Sequence, residues 1–465
     1  MKVSVNKAKI TLLGNRRRGY TLPTNNKLYP AQWNWDSAFI ALGYSYFNLN
    51  FALKEINTLL DGQWKDGMVP HILFHNTNTN YYPNYTAWNC GNKIHSSGIT
   101  QPPILATVLK EILDKNKINN AQLLNIKKII KKIKKFHEWL IQFRDPKKTG
   151  LVSILHPWES GYDNSPLWDE PMKKVKIEKN IKYKRGDNKV VNPDYRPLDI
   201  DYDRYVTIKN NLKKMKYNPK KVYKSSFFNV VDVGFNSIFL KANKDLVKLL
   251  DKFNLNKTKI NNYIKLTEKN FLKLYDKKKE TFFSKDIRNN RKIFIPSITN
   301  YFILFADLNN DKINKKLIKN LKKHNTKDKY FFSSIKPNHK SFEEKRYWRG
   351  PVWIPINYLL IEALQEYFRA LGRDFLIEYP TGSGQYLNLE QIASDLRNRL
   401  LALFAADESG LPPFVPPGSY RDTHRELVPH LLFHEYFNGD TGQGVGASHQ
   451  TGWTAMVRRL ILQCS

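Results

Sequence analysis

Residues 121–143, AQLLNIKKIIKKIKKFHEWLIQF, contain the longest helical pattern in the chain and indicate its fold class. Isoleucine, leucine and Trp139 recur on one face at three- and four-residue spacing, and lysines occupy the other face, as in an amphipathic α-helix. Ten further segments show the same period, with no convincing run of strand-like alternation between them. The sequence therefore predicts an all-α fold. The ten further predicted helices are residues 37–47, 51–60, 103–113, 233–250, 260–274, 297–308, 313–321, 352–371, 389–405 and 452–462.

The composition fits a globular protein, and the length alone allows one large barrel or two to three ordinary domains. Of the 465 residues, 41% are hydrophobic and 13% aromatic, which is enough to bury a large core. The 10 tryptophans and 25 tyrosines are compatible with stacking on sugar rings, although aromatic side chains also fill cores. Lysine stops at Lys345, but this change in composition falls inside the series of motifs described below. We therefore predict a single domain over residues 1–465.

The formal charge of +34 allows two interpretations. A basic protein can bind nucleic acid or another polyanion through clustered Lys and Arg. Here the lysines accompany an excess of Asn and Ile, as in residues 115–120 (KNKINN) and 312–320 (KINKKLIKN), and no RNP-like motif is present. This pattern favours a biased composition with lysine on a solvated surface. We predict no nucleic-acid partner, and we expect the positive charge to avoid the functional pocket.

Cysteine usage and the N-terminal sequence indicate the compartment. Cys90 and Cys464 could form one bridge at most, so a reducing compartment is the default. Residues 1–18 lack the apolar core of a secretory signal, and no run of about 18 apolar residues could span a membrane. We predict a cytoplasmic protein with no membrane partner.

Two irregular segments, residues 156–225 and 407–451, interrupt the predicted helices. Loops of this length are uncommon in a compact domain unless they carry function or are disordered. Both contain clusters of Trp, Gly, Asp, Glu and His, which favours function near those clusters. Residues 173–224 are rich in lysine, and we interpret them as a flexible lid or a partly disordered stretch.

Each irregular segment offers candidate catalytic carboxyl groups. Residues 156–166 (HPWESGYDNSP) place Glu159 and Asp163 near Trp158. An indole desolvates a neighbouring carboxyl group, which raises its pKa and suits it to donate a proton. The alternative is a loop whose carboxylates bond backbone N–H groups. Residues 433–442 (FHEYFNGDTG) place Glu435 among aromatic side chains, the alternative being a surface residue in an edge strand.

Four shorter motifs resemble these clusters in composition. They are residues 29–36 (YPAQWNWD), 66–71 (DGMVPH), 100–103 (TQPP) and 346–353 (RYWRGPVW). Each lies at the end of a predicted helix. If these loops meet at one end of a helical barrel, they form a single pocket.

Two histidine pairs have the spacing of metal ligands. His71 and His75, like His430 and His434, are separated by three residues, but the glutamate of an HExxH motif is missing. We interpret both pairs as structural. The sequence predicts no metal site and no cofactor.

Taken together, the motifs resemble glycoside hydrolase family 63, and in particular its bacterial branch of mannosylglycerate hydrolases and related α-glucosidases. The matching segments follow the order of that family and span nearly the whole chain. They are residues 33–39 (WNWDSAF), 66–72 (DGMVPHI), 98–103 (GITQPP), 156–166, 347–357 (YWRGPVWIPIN), 433–442 and 446–454 (GASHQTGWT).

The resemblance implies an (α/α)6 barrel, an inverting mechanism and a pocket closed around one non-reducing sugar. By position, Asp163 corresponds to the general acid and Glu435 to the general base. The implied substrate is an α-linked glucoside or mannoside, such as glucosylglycerate, mannosylglycerate or an α-gluco-oligosaccharide. The implied sugar subsite consists of Tyr29, Trp33, Trp35, Asp36, Gln101, Trp158, Gly161, Trp348 and Arg349.

Three alternatives remain at this level. A trehalase- or glucoamylase-like hydrolase could share the toroid, although residues 156–166 and 446–454 favour family 63. A basic polyanion-binding protein would lack a sugar pocket. A sugar binder without catalysis is disfavoured because both candidate carboxylates are present. The sequence leaves open the choice of glucose or mannose, the aglycone and the oligomeric state.

Overall fold

The structure, a computed structural model, describes residues 5–24, 27–77, 81–321, 323–324, 329–406, 410–415 and 432–463. Helices dominate these residues, as the sequence predicts, and none of those described is long and apolar enough to cross a bilayer. In chain order they are α1 Val5–Gly14, α2 Asn34–Ser45, α3 Leu49–Asp61, α4 Tyr85–Trp88, α5 Leu105–Lys115, α6 Asn120–Arg144, α7 Asp169–Lys173, α8 Asp199–Lys214, α9 Pro219–Ser225, α10 Val233–Lys252, α11 Thr258–Phe271, α12 Ile303–Ala306, α13 Asp311–Leu321, α14 Ile354–Leu371, α15 Leu389–Ala402 and α16 Thr451–Leu462.

Ten of the eleven predicted helices are present, with ends set by local capping. Helix α6 begins at Asn120 because the Asn119 side chain accepts from the Gln122 amide and the Gln122 side chain accepts from the Asn119 amide. This reciprocal pair satisfies two amides that a helix start leaves unbonded. The predicted helix at 297–308 is instead a 3-10 turn, Ile298–Tyr301, followed by the short α12.

Residues 156–225 differ from the prediction, because they contain α7, α8 and α9. Helix α8 buries Thr207 and Lys209 together with Tyr202, so polar residues on its buried face hide the helical period. Acidic residues in its first turn and lysines in its last turn also match the helix dipole. The interpretation of residues 173–224 as a partly disordered stretch is therefore wrong.

Short antiparallel strands, two or three residues long, connect the helices. Such strands are too short to show alternation in sequence, so the sequence predicts none of them. They form one four-stranded sheet in the order β1-β2-β4-β3, one three-stranded sheet in the order β5-β8-β9, and the pairs β6-β7, β10-β11 and β12-β13. The strands are β1 Gln32–Trp33, β2 Ile72–Phe74, β3 Cys90–Gly91, β4 His95–Ser96, β5 Val230–Val231, β6 Tyr275–Asp276, β7 Thr281–Phe282, β8 Lys285–Asp286, β9 Arg291–Lys292, β10 Leu376–Glu378, β11 Tyr386–Asn388, β12 Tyr436–Phe437 and β13 Gly444–Val445.

Six helices pack against one another in a closed series. Helix α2 contacts α5, α5 contacts α10, α10 contacts α12, α12 contacts α14, α14 contacts α16, and α16 returns to α2. A second set packs on these six: α3 on α2, α6 on α5 and α10, α11 on α10, α13 on α12, α15 on α14 and α1 on α16. The core runs through the series and includes Phe39 of α2, Phe239 of α10 and Tyr358 of α14.

The N-terminal ends of several helices in the closed series carry the predicted motifs. Trp33 and Gln450 are the residues immediately before α2 and α16, and Trp353 immediately precedes α14. Gln101 lies four residues before α5. The motif loops therefore meet at one end of the series.

Candidate functional site

One cavity contains most of the predicted site. Its volume is about 850 Å³ including the open mouth. Asp163 and Glu435 both line it, together with eight of the nine residues predicted for the sugar subsite. The eight are Tyr29, Trp33, Trp35, Asp36, Gln101, Trp158, Gly161 and Trp348. The lining also includes residues that the sequence does not assign individually to the site. Five of them lie in the motifs described above, namely His71, Tyr347, Trp353, Gln450 and Trp453, and the others are Pro23, Tyr81, Tyr82, Asp187, Arg196, Pro197 and Tyr202.

Arg349 is the predicted site residue that lies outside the lining. Its guanidinium forms two hydrogen bonds to the Asp169 carboxylate, at 2.8 and 2.9 Å, and a third to Glu343 at 2.7 Å. A guanidinium fork matches a carboxylate in this way and is fixed by it. Arg349 therefore joins α7 to the loop before α14 instead of contacting the cavity.

The two acids of residues 156–166 have separate environments. Glu159 is fully buried and accepts from Arg144 Nη2 at 2.5 Å, from the Leu155 amide at 2.7 Å and from the Thr100 amide at 3.2 Å. These contacts match the structural alternative for Glu159, which does not line the cavity. Asp163 lines it.

Gly161 allows the loop to pass closely over an indole. Its φ of 81° lies in the left-handed region, and a Cβ there would come within 2.7 Å of the Trp35 ring. Only glycine meets both demands without strain. The close approach brings the loop bearing Asp163 against the aromatic wall of the cavity.

The environment of Asp163 suits a proton donor. Burial raises the pKa of Asp163 to about 6, and the nearby negative charges of Glu435 and Asp187 act in the same direction, while Arg196 partly offsets them. A carboxyl group with a pKa near 6 keeps a substantial protonated fraction close to neutral pH. Burial thus leaves a carboxyl group in the cavity that can hold a proton near neutral pH.

Glu435 immediately precedes β12, and it is buried. Only 3% of its surface is exposed, so the alternative of a surface residue in an edge strand is wrong. Tyr29 Oη donates to its Oε1 at 2.9 Å, and the Ala447 amide donates to its Oε2 at 3.1 Å. Arg196 Nη1 lies 3.8 Å from Oε2. These groups fix the orientation of the carboxylate.

Arg196 belongs to the lysine-rich stretch, which the sequence does not assign to the site. Asp187 accepts from Arg196 Nε at 3.1 Å and from Arg185 Nη2 at 2.8 Å. Burial alone would raise the pKa of Asp187, but the two guanidinium groups lower it to about 2. The Arg196 guanidinium also stacks over the Tyr347 ring at 4.3 Å. A signal was available, because arginine is rare among these lysines and is the residue preferred for buried ion pairs.

Asp36 is the third carboxyl group with an altered pKa in the cavity. Burial raises the pKa of Asp36 to about 7, and the nearby Glu435 acts in the same direction, whereas the hydrogen bond from Gln450 opposes the rise. The Trp35 amide donates to Gln101 Oε1 at 3.3 Å, which fixes the neighbouring amide side chain. Asp36 and Gln101 thus present polar atoms among aromatic rings, as sugar recognition requires.

The charge of the cavity is opposite to that of the chain. Its described lining holds four carboxyl groups, those of Asp36, Asp163, Asp187 and Glu435, and a single guanidinium from Arg196, with no lysine. The expectation that the positive charge avoids the pocket is met in these residues. A nucleic-acid groove would have the opposite polarity.

The predicted histidine pairs are engaged in structural contacts where they are described. His71 Nδ1 lies 3.1 Å from Ser97 Oγ, and His75 Nε2 lies 2.8 Å from Gln32 Oε1. Burial lowers the pKa of His75 to about 4, so its imidazole is neutral near physiological pH. His430 and Cys464 lie outside the described residues.

Comparison with known proteins identifies a family of glycoside hydrolases. Residues 29–454 match the family model described as the mannosylglycerate hydrolase MGH1-like glycoside hydrolase domain. Mannosylglycerate hydrolase of Thermus thermophilus is 38% identical over 370 residues, which are 79% of this chain and 89% of the relative. Glucosylglycerate hydrolase of Mycolicibacterium hassiacum is 28% identical over 354 residues, which are 71% of this chain and 79% of the relative.

Solved structures agree with this result. The crystal structure of the GH63 mannosylglycerate hydrolase from Thermus thermophilus in complex with Tris and D-glycerate superposes with a TM-score of 0.84 at 34% identity, over 98% of this chain and 99% of that one. Neutral trehalase of Saccharomyces cerevisiae, at 15% identity and a TM-score of 0.58 over 96% of this chain and 73% of that one, shares the fold alone. The chain therefore belongs to the MGH1-like mannosylglycerate hydrolase family within glycoside hydrolase family 63, and it is a glycoside hydrolase.

Proposed function

We propose that the chain is an inverting α-glycosidase that hydrolyses an α-linked glucoside or mannoside, with glucosylglycerate and mannosylglycerate as the leading substrates. One observation carries the proposal: Asp163 and Glu435 line the same aromatic cavity. The activities for which the Thermus and Mycolicibacterium relatives are named support these two substrates.

In the proposed reaction, the Asp163 carboxyl group protonates the glycosidic oxygen as the bond to the anomeric carbon breaks. Glu435 accepts a proton from a water molecule that attacks the opposite face of the sugar, which inverts the anomeric configuration. The water must fit between the two carboxyl groups, so we expect them to lie about 6.5–9.5 Å apart. The contacts from Tyr29 and Ala447 to Glu435 support this role by fixing the base.

We assign the sugar subsite to the eight lining residues predicted for it, without Arg349. Aromatic rings provide the apolar faces on which a pyranose packs. Asp36 and Gln101 provide acceptors and a donor for its hydroxyl groups.

We further propose that the closed series of six helices is the inner layer of an (α/α)6 barrel, with α1, α3, α6, α11, α13 and α15 as its outer layer. The series joins α2 to α16, near the two ends of the chain, which supports a single domain over residues 1–465. We also propose a cytoplasmic location, which the sparse use of cysteine supports.

Arg196 supports an acidic aglycone. It is the single cationic side chain among the described residues that line the cavity, and it lies next to the proposed base. A glycerate carboxylate needs a positively charged partner once it leaves water. We therefore place the aglycone on the Arg196 side of the cavity.

Arg196→Met is expected to lower kcat/KM for glucosylglycerate about 10- to 100-fold more than for uncharged glucosylglycerol, since hydrogen bonds to charged groups contribute about 1.5–3 kcal/mol. Arg185→Met is the matched control, because Arg185 also pairs with Asp187 but does not line the cavity. Equal losses on both substrates in Arg196→Met would contradict the placement of the aglycone.

The pH dependence of kcat/KM tests the acid. Below about pH 6 Asp163 is protonated and competent, and above it the rate is expected to fall about tenfold per pH unit. Fluoride leaves an α-glycosyl fluoride with little need for protonation. We therefore expect kcat/KM for this substrate not to fall as the pH rises above 6. Asp36→Asn is the control, because Asp36 is the other carboxyl group in the cavity with a raised pKa. In this variant kcat/KM for the natural glycoside should still fall above pH 6. A fall of kcat/KM at alkaline pH that is also seen with the fluoride would mean that a group other than Asp163 titrates.

A hydrolysis panel tests the substrate class. Purified protein is assayed with glucosylglycerate, mannosylglycerate, trehalose and maltose, and the anomer released is identified by NMR. The proposal expects glycerate glycosides to be preferred and the β-anomer to appear first. Preference for trehalose or maltose would support a trehalase- or glucoamylase-like enzyme, and an α-anomer product would exclude inversion.

A further inference from the structure

One face of α8 contacts the loop that carries the proposed acid, residues 156–166, here called the acid loop. Tyr205 Oη donates to the main-chain carbonyl of Asp163 at 2.9 Å. One turn earlier on the helix, Asp201 Oδ2 accepts from Asn164 Nδ2 at 3.3 Å. Residues four apart lie on the same face of a helix. Helix α8 therefore binds two consecutive residues of the acid loop from one side.

Tyr205 is itself held by the start of the acid loop. Only 2% of its surface is exposed, and its ring packs against that of Trp158 with the centroids 5.5 Å apart. Burial lowers the pKa of His156 to about 3, so its imidazole is neutral. The Trp158 amide donates to His156 Nδ1 at 3.1 Å, so Nε2 carries the proton and donates to the Tyr205 carbonyl at 3.0 Å. Contacts to its ring and to its main chain thus fix the Tyr205 hydroxyl group.

The contact from Tyr205 leaves the reacting group of the acid free. Asp163 lines the cavity, whereas Tyr205 does not. A general acid needs its carboxyl group for the leaving oxygen. Within the residues that the structure describes, no other side chain forms a hydrogen bond to the Asp163 carboxyl group, so its location depends on the main chain. A hydrogen bond to the Asp163 carbonyl fixes that main chain without occupying the proton donor.

We propose that α8 positions the general acid, with Tyr205 as the main positioning residue and Asp201 as a second one. The inference rests on the proposed function of Asp163 as the acid. Tyr205 holds the main chain of Asp163 so that the carboxyl group meets the glycosidic oxygen. Such placement matters for the rate, because a displacement of about 1 Å in a reacting group can cost about 100-fold.

Tyr205→Phe removes the hydroxyl group and keeps the buried ring. We expect kcat on the natural glycoside to fall about 10- to 100-fold, because the acid is no longer held in place. The loss on the α-glycosyl fluoride of the same sugar should be much smaller, because fluoride leaves with little need for protonation. KM should change little, since Tyr205 does not line the cavity. Both constants are measured on the purified full chain, with the better of glucosylglycerate and mannosylglycerate as the glycoside.

Combining Tyr205→Phe with Asp163→Asn distinguishes positioning from a general structural role. Asp163→Asn has no acid left to position, so adding Tyr205→Phe should lower kcat on the glycoside no further. A further loss as large as that of Tyr205→Phe alone would overturn the proposal. Equal losses on the glycoside and the fluoride in Tyr205→Phe would also overturn it. If Asp163→Asn itself shows no selective loss on the glycoside, the assignment of the acid fails, and this inference fails with it.

Tyr301→Phe is the matched control. Tyr301 Oη also donates to a main-chain carbonyl, that of Asn320 at 3.3 Å, and its residue is buried but does not line the cavity. This variant loses the same kind of hydrogen bond and should keep kcat on both substrates. A selective loss on the glycoside here would overturn the proposal.

Asp201→Ala tests the second contact and does not require Tyr205→Phe to fold. It removes the acceptor of Asn164 Nδ2, and the Asp201 side chain is 24% exposed, so the change is made near the surface. We expect a smaller loss of kcat than in Tyr205→Phe, again on the glycoside and not on the fluoride. The absence of a selective loss would overturn the role of α8 at this contact.

Discussion

Asp163→Asn is expected to lower kcat on a natural α-glycoside by about 100- to 10,000-fold, the range that general acid catalysis contributes. The amide preserves the shape of the cavity but has no proton to give to the leaving oxygen. An α-glycosyl fluoride departs with little protonation, so the loss on this substrate should be much smaller. The ratio of the two losses, measured as kcat on purified protein, identifies the acid.

Glu435→Gln is the matched variant, because it changes the other carboxyl group in the same way. This variant is impaired in the attack of water, so kcat should fall to a similar extent on both substrates. Equal losses on both substrates in Asp163→Asn would mean that Asp163 is not the acid. Selective rescue of Glu159→Gln by the fluoride would move that role to Glu159.

The parts of the site that the sequence predicts are those in which one residue type has few substitutes. Gly161 lies in a left-handed conformation against Trp35, and Trp33 immediately precedes α2. Such residues stand out in a sequence because their size or backbone freedom is needed at that position. Eight of the nine subsite residues that the resemblance to family 63 implies line the cavity.

Arg196 and Asp187 escape prediction because their surroundings look like solvated surface in sequence. Arg196 pairs with Asp187 and lies 3.8 Å from Glu435, which is far away in the sequence. The local spacing of residues carries no information about such a contact. The prediction places Arg349 in the subsite for a related reason. The motif contains an arginine but does not show which carboxylate binds it, and here that carboxylate is Asp169. Long-range ion pairs are thus the feature that a single sequence hides.

Helix α8 shows a second limit of the same kind. Its buried face includes Lys209, whose Nζ donates to the Ala87 carbonyl at 3.2 Å. Burial lowers the pKa of Lys209 to about 8, so this lysine is unlike the solvated ones around it. Sequence patterns treat every lysine as exposed, and the helical period disappears wherever that assumption fails.

Glu159→Gln is expected to lower the free energy of unfolding by about 3–5 kcal/mol, because it leaves the buried Arg144 guanidinium without its counter-charge. Arg144 and Glu159 are 5% and 1% exposed, so water cannot replace the lost partner. The measurement is the denaturant concentration at half-unfolding. Glu170→Gln breaks the exposed pair with Lys173 and should leave that midpoint unchanged, because solvent already screens the two charges. A midpoint for Glu159→Gln equal to that of the unaltered protein would show that the loop bearing Asp163 does not depend on this ion pair.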